Sequence, residues 1–191
     1  MIPAVAECFQ LMDLYEMLPN IREHSVMVGR VAGLIAKGAI EAGLPLSLEL
    51  TVSGALLHDI AKTPTLNSDL RHDEVGRQIC LRHGFDELAD IVAEHVVLKN
   101  GVESGCCTEK EIVYYADKRV LHHEIVALGA RLEYIIERYG NGDELMGERI
   151  RRNFQHAHQI EEQLFSSLHF APHEVVDLVN GHALDLGGFR L

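Results

Sequence analysis

Residues 53–64, SGALLHDIAKTP, carry an aliphatic helical run straight into an imidazole and a carboxylate, His58 and Asp59, where the pattern expects core residues. An unpaired charge buried there costs several kcal/mol. Any fold of this chain must therefore set a partner, a proton or a metal against that pair. Helical spacing dominates the rest of the sequence, and no series of alternating strands interrupts it. The expected fold class is all-α. A length of 191 residues suits one domain and is short for two average ones. The expectation is a single domain over residues 1–191, a bundle of about seven to nine helices with the C-terminal helices packed on the core.

Local signals divide the chain. A first helix is expected over residues 3–18. A second starts with Asn20 as N-cap and Glu23 three positions later, a capping-box variant, and stops near Gly43. Ser47 caps a third helix that runs into His58-Asp59, and TPTLNSDL then forms a loop. Short helices follow at 72–83 and 86–96, separated by Gly84, with a loop over 97–107. Thr108 and Glu111 form a second capping box, opening a helix through EIVYYADKRV. Further helices are expected over 123–139 and 143–169, and Pro172 suits the first turn of a last one. The last two or three helices are expected to form a lid or dimer surface, the dimer being motivated by apolar residues at 145, 146, 150, 154, 157, 160, 164 and 168.

On these helices the unusual polar residues fall inside apolar stripes. His24 lies in line with Ile21, Val28, Val31 and Ile35, and Asp59 with Leu48, Val52 and Ala55. Asp117 follows Val113, His95 follows Leu88, Ile91 and Val92, and His72 leads Val75 and Ile79. Any one of these histidines would pass as a packed core residue. Four of them converging with two carboxylates, and no visible basic counterpart, are difficult to satisfy by ordinary hydrogen bonds. A divalent metal satisfies them all, and imidazoles with carboxylates suit Fe, Mn, Zn, Co or Ni. Six side chains exceed the needs of one open catalytic ion, so two ions bridged by Asp59 is the economical arrangement.

The formal charge of -12 repels nucleic acid and anionic membranes, which excludes a duplex-binding face and requires a local cationic spot for any phosphorylated ligand. The N-terminus lacks the basic region of a signal peptide, and no apolar run approaches the roughly 18 residues of a membrane helix. A cytoplasmic location and reduced thiols at Cys8, Cys80, Cys106 and Cys107 are expected.

The order His24, His58-Asp59, Asp117, all on helices, resembles the HD-domain metal-dependent phosphohydrolase superfamily, with LLHDIAK similar to its central signature. The resemblance covers roughly residues 20–121, leaving a C-terminal extension over 122–191. It implies that His24, His58, Asp59 and Asp117 bind a first metal. His72 in RHDEVG and His95 in AEHVV match the two extra histidines of binuclear branches, so Asp59 would bridge to a second ion. Two divalent transition-metal ions are implied, Fe or Mn first, with Zn, Co, Ni or Mg as alternatives. Lys62 matches a lysine that approaches a substrate phosphate in several branches, which makes Asp59 and Lys62 the catalytic candidates. Lys62, Arg71, Lys118 and Arg119 are the local cations for a phosphate, although Arg71, Lys118 and Arg119 read as surface residues. The remaining histidines, at 83, 122, 123, 156, 158, 169, 173 and 182, fit no ligand position, with His122-His123 near the pocket rim.

The implied function is hydrolysis, by a metal-activated water, of a phosphate ester or anhydride of a nucleotide or other small phosphorylated metabolite. The Gly-Tyr-Pro signature of cyclic dinucleotide phosphodiesterases is absent. The ligand order resembles the diadenosine-polyphosphate hydrolases, but YADKRV departs from the segment that commonly follows their last aspartate. Two other readings are a mixed-valent di-iron oxygenase using the same six ligands and a non-catalytic metal-binding signalling module.

Overall fold

A computed structural model describes residues 1–102, 107–140 and 142–181. Cys106 and His182 lie outside these residues. The described chain is all-α apart from one two-stranded ribbon. Its elements are α1 (Val5–Leu14), α2 (Pro19–Glu41), α3 (Leu48–Leu57), a single turn α4 (Lys62–Thr65), α5 (His72–Arg82), α6 (Asp86–Glu94) and α7 (Glu109–Lys118). The ribbon β1 (Val120–Leu121) and β2 (Glu124–Ile125) follows, then α8 (Leu128–Tyr139), α9 (Glu144–Phe165), a 3-10 turn over Pro172–Glu174 and α10 (Val175–Gly181).

Two of the predicted caps form as short-range chemistry requires. The Ser47 hydroxyl accepts the Leu50 N–H at 3.1 Å. Thr108 and Glu111 cap each other, the Glu111 N–H reaching Thr108 Oγ1 at 3.3 Å and the Thr108 N–H reaching Glu111 Oε2 at 2.9 Å. The third does not form. α2 begins at Pro19, with Leu18 at the N-cap, so Asn20 and Glu23 both lie inside the helix. Proline takes the first helical position because its φ is already helical and its missing N–H would have gone unpaired there.

Two segments depart from the expected pattern. Lys62–Thr65 makes a helical turn within the predicted loop. The helix expected from 123 begins only at Leu128, because Val120 pairs with Ile125 and Leu121 with Glu124 across a turn at His122, whose φ is +57°. Arg119 closes this ribbon: its carbonyl accepts the Val126 N–H at 2.7 Å, and its Nε donates to the Val126 carbonyl at 2.6 Å.

Packing divides the apolar interior into two clusters. Val28, Val31 and Ile35 of α2 join Ile112 and Tyr115 of α7, Phe154, Ala157, Ile160 and Leu164 of α9, and Val175 and Val179 of α10. Leu11 and Met12 of α1, Val52 and Leu56 of α3, and Ile79, Leu88 and Val92 of α5 and α6 form the other. The central part of the α9 stripe is thus covered by the chain's own core. Only Leu145 and Met146 of the residues offered for a lid or dimer surface remain exposed, at 68% and 39%. At Gly38 a Cβ would lie 2.9 Å from Leu168 Cδ2, so a bare backbone lets the C-terminal segment seat on α2.

Among the described residues no helix is long and apolar enough to cross a membrane. Cys8, Cys80 and Cys107 are buried and in no disulfide among the described residues. Burial pushes the Cys8 and Cys80 thiols up to about 12, so neither supplies thiolate near neutrality. Iodoacetamide at about pH 8 is therefore expected to label neither until the protein is unfolded. Rapid labelling of either in the folded state would mean that the α1–α3–α5 core opens far more often than its packing implies.

Candidate metal centre

Five helices deliver the six predicted side chains to one place. His24 lies two turns into α2, His58 and Asp59 end α3, His72 opens α5, His95 caps α6 and Asp117 lies in the last turn of α7. Asp59 is the hub. Its Oδ1 lies 3.4 Å from His72 Nε2 and 3.5 Å from His95 Nε2, and its Oδ2 lies 3.5 Å from His58 Nε2. Asp117 Oδ1 lies 3.0 Å from His24 Nε2 and 3.7 Å from His58 Nε2. Ligand atoms of His24, His58 and Asp59 fall within 4.8 Å of one another, and so do those of Asp59, His72 and His95. Two metal-sized groups therefore share one carboxylate.

The close approach of α5 to α6 makes the second group. A Cβ at Gly76 would lie 2.7 Å from Val92 Cγ1, so a side chain there would push the helices apart. Glycine lets them meet, and His72 and His95 then stand with their Nε2 atoms 3.2 Å apart.

Backbone carbonyls decide which ring nitrogens are available. Nδ1 of His58 donates to the Ala55 carbonyl at 2.6 Å, and Nδ1 of His95 donates to Val92 at 2.7 Å, each one helical turn back. Nδ1 of His24 donates to the His122 carbonyl at 2.9 Å. A proton fixed on Nδ1 leaves Nε2 as a lone-pair donor, the arrangement by which outer hydrogen bonds prepare histidine for a metal. These lone pairs point at carboxylate oxygens or at each other. Such contacts are repulsive without a cation or an added proton between them.

Among the described residues His58 Nε2 and Asp59 Oδ1 are also buried without a hydrogen-bond partner. Both belong to the shared centre, and a bound cation would satisfy both at once. The residues present thus fit divalent metal, as the donor chemistry alone suggests. Burial alone would raise Asp59, but the charges of His58 and Lys62 outweigh it and hold its carboxyl well below the usual range. Burial likewise opposes ionisation of Asp117, which the His24 hydrogen bond and the Lys118 charge overcome. Burial and the neighbouring His95 push His72 down to about 4, so its imidazole is neutral and ready to coordinate. His58 differs: burial disfavours its charge, but Asp59 and Asp117 prevail and raise it. Metal entry must displace that proton.

The four candidate cations are placed very differently. Lys62 Nζ reaches Asp59 Oδ2 at 2.8 Å while its side chain stays 38% exposed at the edge of the centre. Arg71 is on the surface, as expected, its side chain 73% exposed and bonded to Asp73. The surface reading of Lys118 and Arg119 is overturned, since each is only 4% exposed. Lys118 Nζ donates to the His95 carbonyl at 2.9 Å and lies 3.5 Å from the centre of the Tyr114 ring. Burial pushes it down to about 8. Arg119 is consumed by Tyr115, Val126, Pro172 and Glu161, which leaves its guanidinium no group to offer a ligand.

Of the other histidines, His122 contributes through its main chain. The left-handed turn aims its carbonyl at His24, while its ring meets Tyr134 at 5.5 Å between centroids. Nothing in Leu-His-His-Glu marks such a turn, because no glycine or asparagine occupies it. His83 bonds the Tyr15 hydroxyl at 3.0 Å, far from the ligands in the packing order.

Comparison with known proteins places this geometry in a family. The chain matches the HD domain over residues 21–120, the segment that carries all six side chains. It is 36% identical over 99 residues to ribonuclease Y of Treponema denticola and 32% identical over 99 residues to ribonuclease Y of Pseudothermotoga lettingae. Each alignment covers 51% of this chain and 18% of the relative, so the chain spans less than a fifth of the length of these relatives. An uncharacterized protein of Methanocaldococcus jannaschii, MJ0778, is 27% identical over 134 residues, 63% of this chain and 78% of its own length. No solved structure gives a significant match. With the HD domain spanning more than half of its length, this chain belongs to the HD-domain superfamily, the metal-dependent phosphohydrolases.

Proposed function

We propose that the protein binds two divalent transition-metal ions, Fe or Mn, and hydrolyses a phosphate ester or anhydride of a nucleotide or other small phosphorylated metabolite. The single observation that carries this reading is the shared carboxylate: His24, His58 and Asp59 form one metal-sized group, and Asp59, His72 and His95 form another. Divalent ions held by these residues would supply an activated water and offset charge building on a phosphoryl group. The protein's own part is orientation. Backbone-anchored Nδ1 atoms keep His24, His58 and His95 turned inward, and Asp59 and Asp117 remain ionised across the working pH range. Burial opposes the charge of Lys62, but Asp59 raises its pKa, so it carries a full positive charge at the edge of the centre, within reach of a substrate phosphate.

The ribonuclease Y relatives are nucleases by name, which supports phosphoester chemistry for the shared segment. The charge of -12 favours a small phosphorylated substrate over a long nucleic acid. A panel of phosphate esters, nucleotides and short oligoribonucleotides, assayed with protein reloaded with Mn(II) or Fe(II), tests the reading. Phosphate or nucleotide release that a chelator abolishes and metal restores is the expected result. Absence of release across the panel, from protein shown to carry two metals, overturns it.

A further inference from the structure

The cations expected to meet a substrate phosphate leave a gap. Lys118 and Arg119 are buried and spent on the fold and Arg71 turns to the surface, so of the four only Lys62 is partly exposed at the centre. Another arginine, which the sequence did not single out, lies on α8. Helical spacing puts Arg131 on the same face as Leu128, Ile135 and Tyr139, the face that packs inward at Leu128. Its Nε is buried without a hydrogen-bond partner among the described residues. Its guanidinium carbon lies 5.6 Å from the centre of the Tyr134 ring, and that ring meets His122, whose carbonyl holds the ligand His24.

α8 also bears on the charges beside the centre. The charge of Arg131 acts on Lys118, whose ammonium is 3.7 Å from the ligand Asp117. Through Tyr134 and His122, the Arg131 end of α8 is thus joined to the ligand His24. The inward face of α8 is only partly covered, since Leu128 is its one buried residue.

We propose that Arg131 is a second phosphate-binding cation, acting with Lys62 at the edge of the metal centre, and that this pair selects a terminal phosphate or polyphosphate over a singly charged phosphodiester. The inference rests on the metal-centre reading given above. Two divalent ions balanced by only two carboxylates leave a positive excess, and Lys62 with Arg131 enlarges it. A dianionic group gains from both flanking cations, whereas an internal diester offers them one negative charge. A guanidinium with a free Nε–H also matches the planar, two-point geometry of a phosphate edge.

Metal-loaded protein titrated calorimetrically with phenylphosphonate and with its monomethyl ester tests this without turnover. The two probes share a shape and differ by one charge. The parent is expected to bind the dianion at least tenfold more tightly than the ester. Arg131→Gln is expected to lose most of that preference with unchanged metal content and thermal midpoint, and Arg131→Lys to keep part of it. Equal affinity for the two probes in the parent, or an undiminished preference in Arg131→Gln, overturns the proposal. A loss of metal in both Arg131 variants overturns it too, by making the arginine a support of the fold. Phosphate release with no effect of Arg131 would sink this inference alone, whereas probe discrimination without any turnover would sink the hydrolytic reading alone.

Discussion

The Asp59→Ala variant, purified without chelator, is expected to lose nearly all of its metal, where the parent carries about two ions per chain. The reason is the shared position of Asp59. It stands within 3.5 Å of His58, His72 and His95 alike, so removing it breaks both groups in one step. The loss would also release the Lys62 ammonium from its 2.8 Å ion pair and leave the His72 and His95 lone pairs facing each other without a carboxylate. Turnover should fall with the metal. An independent readout comes from stability, because a metal that binds only the folded chain raises its apparent thermal midpoint. Chelator should lower the midpoint of the parent and leave that of Asp59→Ala unchanged. Retention of one full equivalent in the variant would show that His24, His58 and Asp117 hold an ion unaided. Retention of two would remove the bridging role altogether.

The largest expected effect on the fold itself comes from Arg119→Leu, a loss of about 3 kcal/mol. This guanidinium is buried and donates to the carbonyls of Val126 at 2.6 Å and Pro172 at 2.9 Å, besides its contacts with Tyr115 and Glu161. One side chain thus joins α7, the ribbon, α9 and the 3-10 turn. Leucine fills part of the volume but strands two part-buried carbonyls and the Glu161 carboxylate. Glu161 reaches toward solvent, which limits the penalty on its side. Urea denaturation of chelated protein measures this directly. Because the same ribbon presents the His122 carbonyl to His24, weaker metal binding should accompany the lost stability. A change below about 1 kcal/mol would mean that water replaces the guanidinium without cost.

Much of the centre could be read without coordinates, for a local reason. His24, Asp59, His72, His95 and Asp117 stand in phase with apolar residues three and four positions away, and that phase is a property of the helix alone. The caps at Ser47 and at Thr108 with Glu111 are equally local, each closed within three residues. Asn20 misled because Pro19, its own neighbour, made the better first helical residue.

The sequence by itself determined most of the helices, the inward ligands and the LLHDIAK signature, since each depends on spacings shorter than about two helical turns. Tertiary structure alone decided that Lys118 and Arg119 would be buried, because their partners include His95, Glu161 and Pro172 on other elements. It decided the ribbon at His122, where the Arg119–Val126 contacts outweigh the helical pattern of the segment. It also set the orientation of the ligand rings and packed Arg131 over Tyr134, beside His122. Contacts of that kind join residues far apart in the chain, and no periodicity records them.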